Sequence, residues 1–167
     1  MDVATLDLKT GHHPTLENTR YSPIGLRFSF LLDGKDTNGR CSLQLVTAKR
    51  GAGPAWHVHS GEDEVFYVLA GEMRGYVGDD VVTLNAGDTA FLPREVPHTY
   101  QVISEEATFL AMITPAGFEG FFHEITDPVA SLDMPPGPAL PPADPARIAR
   151  LMTEYGGLVV GPPVPLS

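Results

Sequence analysis

Two histidines, His57 and His59, stand two residues apart in the stretch PAWHVHSGEDEVFYVLAGE, residues 54–72. On an extended strand such a pair points to one face. That geometry delivers two imidazoles to one cation, whereas a helix would need them at i and i+4. Glu64 follows after a short loop and opens the next apolar run. A loop of that length can fold the carboxylate back toward the histidines. His98 comes directly after Pro97, at the start of another strand-like segment. In an antiparallel barrel that segment can lie beside the first. His57, His59, Glu64 and His98 would then offer three imidazoles and one carboxylate to a single ion. Such borderline-to-hard donors suit Fe, Mn, Co, Ni, Cu or Zn with coordination positions left open. An open site polarises a substrate oxygen or generates a reactive nucleophile. Each residue also has a plainer reading. A lone strand histidine such as His98 is more often surface or core decoration than a ligand. Glu62 and Asp63 read as loop charges facing solvent. His12 and His13 read as residues of an N-terminal arm, and His123, in FFHEI, as a helix-surface residue.

Short strands must carry these groups. In LRFSFLL, residues 26–32, Leu26, Phe28, Phe30 and Leu32 share one parity. DGKDTNGR follows, with Asn38-Gly39 as a turn signal. CSLQLVTA alternates again, and EVFYVLAG is rich in β-branched and aromatic residues. EMRGYVGDDVVTLN reads as two strands about a Gly78-Asp79-Asp80 turn, and TAFLP, HTYQVI and ATFLAMITP complete the series. Regular short strands with no crossover helices predict an all-β sandwich or barrel. Beyond Pro115, AGFEGFFHEI reads as a short helix or lid and SLDMPPGPALPPADP as a proline-rich connector. DPARIARLMTEYGG has Asp144 at the N-cap, Pro145 at N1 and Gly156 past the end, as a helix requires. Ile148, Leu151, Met152 and Tyr155 give it one apolar face, which should dock on the barrel or on a partner subunit. The expected division is an arm at 1–25, a barrel at 26–126, a connector at 127–143 and a C-terminal helix and extended tail at 144–167.

The chain has 167 residues, 43% of them hydrophobic, which suits one domain with a real core. A formal charge of −10 argues against a nucleic-acid or anionic-membrane surface. Cys41 is the only cysteine, so neither an intrachain disulfide nor a cysteine-based zinc site is available. No segment has the apolar length of a signal peptide or a membrane span, and a cytoplasmic protein is the expectation.

Gly51, His57, His59, Glu64 and Gly71 stand in the pattern G-x5-H-x-H-x4-E-x6-G. Gly87, Pro93 and His98 match the second pattern, G-x5-P-x-G-x2-H-x3-N, with Glu95 in place of its inner glycine and Val102 in place of its asparagine. In both respects the sequence resembles the cupin superfamily, and its outer segments resemble small bacterial cupins of the quercetin dioxygenase-like group. The resemblance implies a double-stranded β-helix, a jelly-roll barrel, with a short C-terminal helix. It implies one divalent transition metal on His57, His59, Glu64 and His98. It also implies that Glu64 takes a proton from a substrate hydroxyl before dioxygen adds to the ring. The departure at Glu95 implies a different local turn. Phe28, Phe30, Phe66, Phe91 and Tyr100 are candidate walls for an aromatic or otherwise apolar substrate, beside the plainer reading of core packing. The partners implied are a small molecule and dioxygen, with a homodimer expected through outer strands, the arm or the C-terminal helix. The fold hosts other chemistries. A cupin isomerase or cyclase and a non-catalytic binding or sensor module are the alternatives.

Overall fold

A computed structural model describes residues 14–133 and 144–165 of the chain. His12, His13 and most of the proline-rich connector lie outside the described residues. In chain order the elements are β1 (Thr19–Tyr21), β2 (Leu26–Leu32), α1 (Gly34–Thr37), β3 (Ser42–Lys49), β4 (Ala55–His59), β5 (Asp63–Ala70) and β6 (Glu72–Val77). They continue with β7 (Asp80–Asn85), β8 (Thr89–Leu92), β9 (His98–Val102), β10 (Glu106–Thr114), α2 (Glu119–Ile125), β11 (Asp127–Pro128), α3 (Pro145–Glu154) and β12 (Gly157–Pro163).

The strands form two antiparallel sheets. One has the order β11-β1-β2-β3-β10-β5-β8, the other β12-β4-β9-β6-β7. Alternation decides which side of each strand is buried. On β10, Ala107, Phe109, Ala111 and Ile113 are buried while the residues between them are not. Their inner faces meet those of the smaller sheet, where Met73, Leu84, Tyr100 and Val102 point inward. This interdigitation of two inner faces is the main core. A second core joins Ile113 to Phe118, Phe121 and Ile125 around α2 and to Leu151 and Met152 of α3. The apolar face read from the C-terminal helix therefore docks on its own chain.

Several boundaries differ from the sequence reading. The arm contributes β1, which pairs with β2 and β11. The extended tail is β12, paired with β4 in the smaller sheet. Its prolines are tolerated because β12 is an edge strand, where a missing N–H breaks no ladder. The stretch around Asn38-Gly39 is more than a turn. It holds the one-turn helix α1, which Asn38 ends in the left-handed region at φ 55°. Gly71, the last glycine of the first pattern, has φ 82° and faces the carbonyl of Glu106 so closely that a Cβ there would collide with it. Only glycine meets both demands at the β5–β6 corner.

Candidate metal centre

β4 places His57 and His59 on its buried side, as a period of two requires. β9 lies beside β4 with His98 directly opposite His57. Glu64, near the start of β5, reaches across from the other sheet. One ligand atom from each of these residues lies within 4.8 Å of the others, and all four side chains are buried. Glu64 Oε1 is 3.5 Å from His59 Nε2, and Glu64 Oε2 is 3.7 Å from His98 Nε2.

The hydrogen bonds fix which nitrogens face the centre. His57 Nδ1 donates to the Ala55 carbonyl at 2.8 Å, and His98 Nδ1 donates to the Val96 carbonyl at 2.9 Å. Each ring therefore carries its proton on Nδ1 and turns the Nε2 lone pair inward. Among the described residues, His98 Nε2 and both ring nitrogens of His59 are buried without a hydrogen-bond partner. A protein interior rarely leaves such atoms orphaned; a cation would account for the Nε2 atoms of His59 and His98, while His59 Nδ1 faces Glu62. The donor set and its orphaned nitrogens fit a divalent transition metal.

Glu62 was read as a solvent charge and is not one. Its side chain is only 14% exposed, and Oε2 lies 3.8 Å from His59 Nδ1. That oxygen is buried and unpartnered. It stands where an outer carboxylate orients a ligand imidazole. The sequence signal was its place three residues after His59, on a loop whose direction no periodicity reveals. Asp63 is fixed by Arg94, which donates from Nε and Nη2 to its carboxylate. His123 pairs with Asp33 at 3.2 Å and stacks on Phe30, away from the cluster.

Burial governs the electrostatics. It holds His57 down to about 3, with the His98 charge adding to the effect, and His59 down to about 2. His98 is lowered by burial as well. Burial, then the Glu62 charge, pushes the Glu64 carboxyl up to about 8. Neutral imidazoles are the form that ligates, and a cation would favour the ionised form of Glu64.

Beside the cluster lies a cavity of about 280 Å³. His57, Glu64 and His98 line it, together with Phe28, Phe66 and Tyr100. Two expected wall residues are elsewhere. Phe91 is 59% exposed because β8 turns Ala90 and Leu92 inward and Phe91 outward. Phe30 is buried one layer back, stacked between Phe28 and His123. The sequence reading missed Phe109 on β10, Phe118, Phe121 and Phe122 around α2, and Met152 on α3. Phe118 lies edge-on to His59 with ring centres 4.1 Å apart, so the entry to α2 closes over the cluster. α2 is itself anchored. Glu119 accepts from the Gly34 and Gly117 amides, and Arg20 donates to the Thr126 hydroxyl and carbonyl.

The family model for the cupin domain matches residues 44–114, the span that holds all four cluster residues. Residues 44–114 thus match the cupin domain. A protein named quercetin 2,3-dioxygenase from Bacillus subtilis is 29% identical over 94 residues, 56% of this chain and 28% of that protein. One of the same name from Aspergillus japonicus is 31% identical over 72 residues, 40% of this chain and 21% of that protein. The chain thus spans less than a third of the length of either relative. A Klebsiella pneumoniae protein with a double-stranded β-helix domain superposes with a TM-score of 0.54 at 22% identity, over 66% of this chain and 88% of its own. The cupin barrel here is that fold.

Proposed function

We propose that this cupin is a metal-dependent oxygenase acting on a phenolic or related apolar small molecule. His57, His59, Glu64 and His98 would hold the metal. The observation that carries the reading is the convergence of orphaned imidazole nitrogens and one carboxylate on a cavity walled by aromatic rings. The two relatives named quercetin 2,3-dioxygenase support it, through the barrel segment alone.

A divalent transition metal at this centre supplies Lewis-acid polarisation of a substrate oxygen and, through open coordination positions, access to dioxygen chemistry. The chain does the rest. The Ala55 and Val96 carbonyls hold His57 and His98 in the tautomer that presents Nε2. Aromatic walls seat a planar guest by stacking and edge contacts. Phe118, Phe122, Ile148 and Met152 line the side contributed by α2 and α3 and exclude water there. Glu64, which lines the cavity, would accept the hydroxyl proton of a substrate on a carboxylate oxygen. To do so it binds the metal weakly or is displaced by the substrate, because a carboxylate tightly bound to a cation is a poor base.

Glu64→Gln should retain part of the metal and lose turnover at least a hundredfold, as a lost general base does. Unchanged turnover would remove the base role. The wider test is oxygen uptake by metal-loaded protein across a series of flavonols and simpler phenols. Substrate loss without oxygen uptake would replace the reading with an isomerase or cyclase. Tight binding without turnover would replace it with a sensor module.

A further inference from the structure

Among the described residues, the cavity has one polar end. His57, Glu64 and His98 form that end, and Tyr100 adds a single hydroxyl. Every other side chain that lines it is apolar, including those of Phe28, Phe66, Phe109, Phe122, Ile148 and Met152. Among the described residues, no lysine, arginine, serine, threonine, asparagine or glutamine contributes to the wall. A hydroxyl buried against such a wall loses its water and gains no partner, which weakens binding. A phosphate or a second carboxylate would meet no cation beyond the metal. The wall instead offers ring faces and edges.

We infer that the occupant is an aromatic or similarly apolar molecule with its ionisable oxygen at one end and a body free of further hydrogen-bonding groups. This rests on the metal reading above and narrows it. A heavily hydroxylated flavonol is the wrong guest for this wall, whatever the names of the relatives. The cavity volume of about 280 Å³ sets the size at the small end of ligand pockets.

The test compares two probes that share one hydroxy-ketone head. 3-Hydroxyflavone carries little else, whereas quercetin adds hydroxyls along both ring systems. The full chain is loaded with zinc, which has no redox chemistry of its own, and each probe is titrated in the absence of oxygen. Metal-free protein is titrated in parallel. 3-Hydroxyflavone should bind at least tenfold more tightly than quercetin, a margin of about 1.4 kcal/mol. The same order is expected without metal, at weaker affinity, because the wall does not depend on the ion. Equal or tighter binding of quercetin, or binding of neither probe, would overturn the inference. Failure to take up zinc while the order holds would overturn the metal reading alone. The predicted order without oxygen uptake in a later turnover assay would leave the inference standing and remove the oxygenase.

Discussion

Glu62 touches no cavity surface, yet its carboxylate faces the outer nitrogen of His59 across 3.8 Å. An outer carboxylate fixes the ring orientation and raises the basicity of a ligand histidine. Glu62→Gln keeps the shape and removes the charge. It should weaken metal binding about tenfold or more, read by competition against a chromophoric chelator, while the fold stays intact by circular dichroism. Affinity equal to that of the parent chain would show that Glu62 only fills space. The cluster also predicts how the metal-free protein responds to acid and base. Below 6.5 an unfolded chain takes up protons that folded His57 refuses until about 3 and His59 until about 2, so stability falls as pH falls. Folded Glu64 keeps its proton up to about 8, whereas an unfolded glutamate releases it near 4.5, so this group costs stability as pH rises. The histidines outweigh the glutamate below 6.5, and above it the glutamate acts alone. Thermal melts in chelator should therefore show the contribution of this site peaking near pH 6.5. Bound metal, by ionising Glu64, should remove the decline on the alkaline side. The four residues of the cluster were legible because strand parity and a fixed spacing select them. Glu62 was not, because a loop has no parity. Phe91 was misread because TAFL is too short for alternation to show which of its two faces is buried.

Among the elements, the turn before β9 carries a local conflict. Glu95 has φ 64°, a left-handed conformation that costs an L-residue about 1–2 kcal/mol. The substitution at this position of the second pattern was expected to change the turn. Instead the glycine-like backbone is kept, because Glu95 N–H donates to the His59 carbonyl at 2.7 Å and ties the turn to β4. Glu95→Gly should relieve the strain and raise stability by roughly 0.5–1 kcal/mol after the added flexibility of the unfolded chain is subtracted. Urea melts would read this, and a loss of stability would show that the glutamate side chain makes a contact that matters more. The C-terminal helix was legible because capping residues and a 3.6-residue period mark it. Its cap is as expected, with Asp144 Oδ1 accepting from the Ala146 amide. The destination of its apolar face was not legible, since a periodic face states that something covers it and not what.

Over the whole molecule, the proposed centre draws His57, His59 and His98 from one sheet and Glu64 from the other. An ion bound only by the folded state would then join the two layers. At a free concentration a hundred times its Kd it would add about 2.7 kcal/mol. For a chain of this size that is a rise in Tm on the order of 5–10 °C. Differential scanning calorimetry with and without chelator would read it, and coincident melts would speak against specific binding. The barrel itself could be read from the sequence because most of its strands announce their own period. The order of the strands could not, because pairing is decided by partners far along the chain.

Strand order also decides when the site can close. The neighbour of the histidine strand β4 on its outer side is β12, with Gly157 opposite His59 and Val159 opposite His57. A ribosome makes β4 long before it makes β12. While the chain is growing, one edge of the histidine strand waits unpaired and one wall of the cavity has not been synthesised. Closing so long a loop is slow. An ion held at this centre would therefore be captured late in the life of each new chain, after β12 has arrived.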